Sequence, residues 1–247
     1  MTEAEQSLFE EQGFLVRREV FTGKVLDGLQ QDALHLAEGY PDDHGRLVLL
    51  DADQEGQSKY NLVNCLSEPE VLDLSEALSG SRFRMAFPYW MNINTPSMYW
   101  HRDLDFIKNE TVSDEFNIDA WCQRQPFSQI QWNLPLLDDS LLWIVPGSHR
   151  RTPTAEEMDI LKEEKYSEDM PGKSNVNLCA GDALVYNVNI FHGVHNPHGV
   201  DRRTLHWCWV NQDAYNPYGD QCTTPLSAEE RRLIDPRLVA MAEVMEL

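Results

Sequence analysis

A mainly β fold with flanking α-helices, a jelly roll or sandwich wrapped by helices, is predicted by two features of this sequence. Helical patterns crowd into roughly the first 80 residues, and short aromatic, β-rich runs separated by turn formers follow them. The length of 247 residues adds a third, because barrels and sandwiches of this size often stay undivided, so residues 1–247 are expected to form one domain. Within it, helices are expected over roughly 1–80, the jelly-roll core over roughly 81–212, and a tail containing a helix after that.

The elements follow in order. EAEQSLFEEQG, from Glu3, reads as a short amphipathic helix stopped by Gly13, and FLVRREVF alternates like a strand. Thr22 is a candidate N-cap for a helix with apolar Val25, Leu26, Leu29, Ala33, Leu34 and Leu36, ended by Gly39. EPEVLDLSEALSG, Glu68 to Gly80, is the next helix. From Arg82 the strand candidates are RFRMAFPYWMNI, SMYWHRDLDF, FSQIQWNLPLL, SLLWIVPG, DALVYNVNIFHG and RTLHWCWV, interrupted by one helix, AEEMDILKEEKY.

Twenty Lys and Arg stand against 41 Asp and Glu, a net charge of −21 that repels nucleic acid and anionic membranes and favours small-molecule partners. No run approaches the apolar length of a membrane span, and the acidic opening MTEAEQSLFEEQ is unlike an export signal. Cys65, Cys122, Cys179, Cys208 and Cys222 are odd in number and lack a CxxC pair, so neither a disulfide framework nor a zinc knuckle is expected; the default location is cytoplasmic.

Chemistry concentrates in two places. In MYWHRDLDF, His101 and Asp103 lie two apart, so on a strand both side chains reach the same face and can share one ion. A second histidine must come from NIFHGVHNPHGVDRRTLH, which holds His192, His195, His198 and His206. The turn Gly181-Asp182 opens a strand ending near His192, and the turn around Asn196-Pro197 and Gly199 would fold back as a hairpin carrying Arg203 alongside it. A planar guanidinium there can grip a carboxylate with two parallel hydrogen bonds.

INTPSMYWHRDLDF, LLWIVPGSHRR and GDALVYNVNIFHG with the arginine after it are together far more specific than His-x-Asp, and the opening FEEQGFLVRREVFTGKVLDGL belongs with them. Through these stretches the chain resembles the phytanoyl-CoA dioxygenase-like family of iron(II)/2-oxoglutarate oxygenases, over most of its length. The resemblance implies a double-stranded β-helix of the cupin-like kind, with Fe(II), 2-oxoglutarate and O2 as the reaction partners. It implies His101, Asp103 and His192 as metal ligands and Arg203 as the anchor of the far carboxylate, because that family commonly spaces Gly-Asp turn, histidine and arginine by about eleven residues, as 181, 192 and 203 do here. Two departures are plain: HGVHNPHG replaces the family's frequent His-Gly-x-Gly-x-Asn, and DDSLL stands where Asn-Gly often does. Asp103 also separates the chain from halogenating relatives, which carry a small residue at this position, so hydroxylation of an unactivated C–H is expected over chlorination.

Alternatives stay open at several positions. His195 would be the ligand if the strand ran three residues longer, His198 reads as a turn residue, His206 as a core or barrel-wall histidine, and His149 in PGSHRR as structural. Arg202 rivals Arg203, because adjacent strand residues face opposite sides. Gln129, Gln131 and Asn133 share one strand face with Trp132 on the other; Gln131 is the candidate for 2-oxoglutarate, and Arg102, Phe106 and Trp132 are candidates for substrate. Asn92 and Asn94 are weaker ones. The segment LDFIKNETVSDEFNIDAWCQRQPF, with Phe106, Phe116 and Trp121, lies where a lid would cover the site. Its Asp105, Asp114, Glu115 and Asp119 would suit a cationic substrate, whereas Arg82, Arg84 and Arg102 would suit an acid. No compact Lys/Arg cluster offers itself to the phosphates of a CoA thioester, which points to a free small metabolite. The competing classes are a jelly-roll metalloenzyme that needs no 2-oxoglutarate and a non-catalytic jelly-roll binding module.

Overall fold

Two antiparallel sheets face each other and helices cover one of them, in a computed structural model that describes residues 1–38, 45–49, 57–80, 83–85, 89–103, 129–163, 170–211 and 227–243. The strands are β1 (Phe14–Arg17), β2 (Arg46–Val48), β3 (Phe83–Met85), β4 (Trp90–Ile93), β5 (Met98–His101), β6 (Gln129–Pro135), β7 (Asp139–Ile144), β8 (Ser174–Leu178), β9 (Ala183–Asn187), β10 (His192–Val194) and β11 (Arg203–Asn211). The larger sheet has seven strands in the order β1-β9-β6-β11-β4-β2, with β3 also on β11; the smaller has four, β5-β10-β7-β8. The expected jelly roll with flanking helices is what the chain forms.

The expected helices appear as α1 (Glu3–Gln12), α2 (Gly23–Glu38), α4 (Pro69–Ser79) and α5 (Ala155–Lys162), with the C-terminal tail supplying α6 (Glu230–Leu233) and α7 (Pro236–Glu243). Thr2 and Glu5 cap α1 reciprocally, and Gly13 ends it at φ 84°, where a side chain would be strained. The helix α3 (Gln57–Asn64) was not expected. Its Lys59 is buried and pairs at 3.1 Å with Glu230 of α6, so the helix rests on a partner 171 residues away that no local periodicity announces.

Alternation along β6 and β11 sorts the two faces of the large sheet. Ile130, Trp132 and Leu134, with Leu205, Trp207 and Trp209, join the helical residues Leu29, Ala33, Leu62, Val71, Leu74 and Leu78 in one apolar core. Trp132 stacks on Trp207 at 5.2 Å and donates its indole N–H to Ser75 Oγ of α4 at 3.1 Å. The opposite face looks into the gap between the sheets, closed on one side by Leu142, Ile144, Val176, Leu178, Leu184 and Val194.

One strand expectation needs correction. The run from Ala183 to His192 is not continuous: β9 belongs to the large sheet and β10 to the small one. Asn187 breaks it, its Oδ1 accepting from the Asn189 N–H and its carbonyl from the Ile190 N–H, so the chain crosses from one sheet to the other. The hairpin that would have paired His192 with the strand of Arg203 therefore does not form; β10 pairs with β5 and β7.

Candidate metal centre

His192 heads β10 directly opposite His101 at the end of β5, and this register brings the two rings to 4.2 Å between centroids. Asp103 lies just beyond β5, its N–H donating to the Val188 carbonyl at 3.0 Å in the crossing segment. Its Oδ1 stands 3.7 Å from His101 Nε2 and 3.6 Å from His192 Nε2. One ligand atom from each residue falls within 4.8 Å of the other two, so the His-x-Asp pair and the distal histidine converge as one group.

The two imidazoles are oriented alike. His101 Nδ1 meets the Tyr99 carbonyl at 2.9 Å and His192 Nδ1 the Ile190 carbonyl at 3.1 Å, which fixes the proton on Nδ1 and turns both Nε2 lone pairs toward Asp103. Burial pushes the His192 pKa down to about 4, so the ring is neutral at pH 7, as a ligand must be. Two nitrogens and one carboxylate on one side of a common point make a donor set for a divalent transition metal with open positions opposite.

The loop PGSHRR supports this arrangement from behind. Ser148 Oγ accepts from the Phe191 N–H and donates to the Val145 carbonyl, and Asn189 donates to the His149 carbonyl. His149 is buried there, away from the ligands. His195 extends the strand pairing through its N–H to Leu141 and does not line the site; His198 sits in the turn that Asn196 ties together.

The ligands open on a cavity between the two sheets. Met98, Leu142 and Val194 give it apolar walls on the small-sheet side, and Trp90, Asn92, Gln131, Tyr186, Arg202 and His206 line the other. His206 is thus a barrel-wall residue, stacked on Trp90 with planes 6° apart. Gln131 donates to Tyr186 Oη at 2.6 Å, and that hydroxyl lies 3.5 Å from His192 Nε2. Burial, and then the Asp103 charge, raise the Tyr186 pKa well above its usual value, so the phenol keeps its proton. Tyr186 and Trp90 were missed by sequence reasoning, because an aromatic in a strand more often belongs to a core.

Arg202, not Arg203, reaches the cavity. Arg202 is 2% exposed; its Nε donates to Asp139 Oδ2 at 2.8 Å, while its Nη2 is buried with no hydrogen-bond partner. Arg203 turns to the other face and pairs with Asp201 at 2.9 Å. Asn94 secures the arginine backbone from both sides, donating its N–H to the Arg202 carbonyl and accepting from the Arg202 N–H.

Two further expectations are corrected. Trp132 is fully buried in the helical core on the far face of β6, out of reach of a substrate. Arg102 points away from the cavity, donating to the Ser148 and Arg151 carbonyls at 2.8 Å with its guanidinium over the Phe191 ring. Gln129 and Asn133 do not line the cavity. Arg82, Phe106, Phe116, Trp121 and the acidic residues of the expected lid lie outside the described residues, as does the side chain of Arg84.

Comparison with known proteins agrees with the geometry. A family model described as phytanoyl-CoA dioxygenase (PhyH) matches residues 9–204. No curated protein matches the chain. Among solved structures, HygX from Streptomyces hygroscopicus with nickel and 2-oxoglutarate bound is similar at a TM-score of 0.67 and 17% identity, covering 94% of both chains. EctD from S. alaskensis with 2-oxoglutarate and 5-hydroxyectoine follows at 0.59 and 15% identity, over 85% of this chain and 76% of its own. The epimerase SnoN from nogalamycin biosynthesis, described as non-heme and alpha-ketoglutarate dependent, is similar at 0.58 and 14% identity, over 92% and 96%. At such identities the likeness establishes the shared fold.

Proposed function

Because the chain belongs to the phytanoyl-CoA dioxygenase (PhyH) family, we propose that it is an iron(II)- and 2-oxoglutarate-dependent oxygenase that hydroxylates an unactivated C–H bond of a small-molecule metabolite, with release of succinate and carbon dioxide. The observation that carries this reading is the convergence of His101, Asp103 and His192 on a cavity whose other side holds a buried guanidinium with an unpartnered nitrogen.

His101 and His192 would hold the iron through Nε2, and Asp103 through its carboxylate. Bound iron(II) with 2-oxoglutarate supplies the activation of dioxygen and the oxidising power for C–H cleavage. The rest falls to the chain. Arg202 would hold the far carboxylate of 2-oxoglutarate, taking the role expected of Arg203, since charge-assisted hydrogen bonds to a buried cation are the strong ones. Gln131 and Tyr186, already hydrogen-bonded to each other beside His192, offer a neutral donor edge to the same ligand. Met98, Leu142 and Val194 keep water from that edge.

Hydroxylation is favoured because Asp103 fills the third ligand position that a halide would need. The substrate is read as a free metabolite rather than a CoA thioester. Cys65, Cys179 and Cys208 are free thiols, which suits a reducing cytoplasm, and no helix among the described residues is long and apolar enough to cross a membrane.

The test is an anaerobic titration of metal-free protein with iron(II) and then 2-oxoglutarate, followed by visible absorption. A band is expected in wild type and His195→Ala, and none in His192→Ala or Asp103→Ala, the latter also losing turnover. A folded wild type that gives no band would transfer the assignment to another metalloenzyme or a binding module.

A further inference from the structure

Asp139 and Arg202 form an ion pair whose side chains are each 2% exposed, and it bridges the two sheets: Asp139 opens β7 of the small sheet, and Arg202 immediately precedes β11 of the large one. The carboxylate is fixed at both oxygens. Oδ1 accepts the Leu141 N–H at 2.9 Å, in the manner of an Asx turn, and Oδ2 accepts Arg202 Nε at 2.8 Å. A carboxylate so held occupies one edge of the guanidinium and leaves Nη2 buried and unpartnered on a residue that lines the same cavity as the metal ligands.

We infer that Asp139 is a positioning residue for the dicarboxylate co-substrate, aiming the Arg202 guanidinium and compensating its charge while the pocket awaits an anion. The inference rests on the oxygenase reading above. Asp139 touches neither metal nor co-substrate; it acts through Arg202. A long arginine side chain free to rotate loses rotamer entropy when it grips a ligand, and a lone buried cation draws water into an apolar site. The pair removes both costs before binding, in the way preorganised sites gain affinity.

The variant that isolates this role is Asp139→Ser, whose hydroxyl can still accept the Leu141 N–H but is too short to reach Nε; Asp139→Asn removes the charge and offers one carbonyl oxygen to two donors, the Leu141 N–H and Arg202 Nε. Binding is read by calorimetry on nickel-loaded protein with 2-oxoglutarate and with 2-oxopentanoate, which carries a methyl group in place of the far carboxylate. Asp139→Ser is expected to weaken 2-oxoglutarate at least about tenfold, the loss of a well-aimed charged hydrogen bond. It should leave 2-oxopentanoate and nickel affinity within about twofold, and Asp139→Asn should weaken 2-oxoglutarate in the same direction. Unchanged 2-oxoglutarate affinity in Asp139→Ser, or an equal loss for both keto acids, would overturn the assignment. Should Asp139→Ser fail to fold, Asp139→Asn decides by the same comparison: a loss for 2-oxoglutarate with 2-oxopentanoate unchanged supports the assignment, and unchanged 2-oxoglutarate affinity or an equal loss for both keto acids overturns it. A nickel-loaded wild type that binds no 2-oxoglutarate would instead remove the oxygenase reading, and this assignment with it.

Discussion

Asp201, its neighbour but one, takes the Arg203 guanidinium, whereas Arg202 turns the other way and meets Asp139 of the small sheet. Parity along β11 decides this. Leu205, Trp207 and Trp209 pack on the helices, so His206 and, by the same alternation, Arg202 face inward. Arg202→Ala is therefore expected to raise the KM for 2-oxoglutarate by on the order of 10- to 100-fold, the loss of one or two charged hydrogen bonds. Arg203→Ala, which breaks only a half-exposed pair, should change it by less than about twofold; steady-state kinetics at saturating iron measures both, and the reverse pattern would return the role to Arg203. The His-x-Asp pair was legible in the sequence from its own spacing, and His192 through the family resemblance, which implies a histidine eleven residues after the Gly-Asp turn. The arginine was legible only as a pair, since a slip of one residue exchanges the faces. The signal that could have settled it lies downstream in LHWCW, where two tryptophans two apart belong on the covered face.

At the level of elements, the turn Gly181-Asp182 connects β8 to β9 and is tied to the link between β1 and α2. Gly181 has φ 83°, and a Cβ there would lie 2.1 Å from the Phe21 carbonyl. Asp182 accepts from the N–H groups of Glu19 and Cys179 and from Arg18, and so holds Glu19 at its positive φ of 56°. Three part-buried acceptor bonds vanish in Asp182→Ala, and the expected loss is about 2–4 kcal/mol of unfolding free energy by urea titration. A loss below about 0.5 kcal/mol would show that the turn holds by its backbone alone. The helices α1, α2, α4 and α5 and the strand-rich half were readable from periodicity and capping residues. The break after Asn187 was not, because DALVYNVNIFH is apolar enough for one long strand and only the Asn187 side chain, bonded two residues on, ends it. Nor was α3, whose buried lysine is matched by a glutamate far along the chain.

Over the whole molecule, His149 and His192 are both pushed down to about 4 from 6.5, burial being the main cause in each. The unfolded chain therefore binds protons that the native chain refuses as pH falls from 6.5 toward 4, so the histidine contribution to stability is lost through that window. Each histidine contributes on the order of 3 kcal/mol to this slope, and His149→Gln should flatten about half of it in urea titrations of the metal-free protein; an unaltered slope would show that His149 is already charged in the native state. The placement of the reacting groups has a consequence at the same scale. His101 and His192 stand on the small sheet, Arg202 at the edge of the large one, and the sheets are held apart by Leu142, Ile144, Leu184 and Val194. Facing sheets pack about 10 Å apart, and a keto acid held by iron at one end and by the guanidinium at the other would span that gap. The apolar residues between the sheets thus bear on a site they do not ligate: a change in their volume would shift the spacing between the two histidines and Arg202.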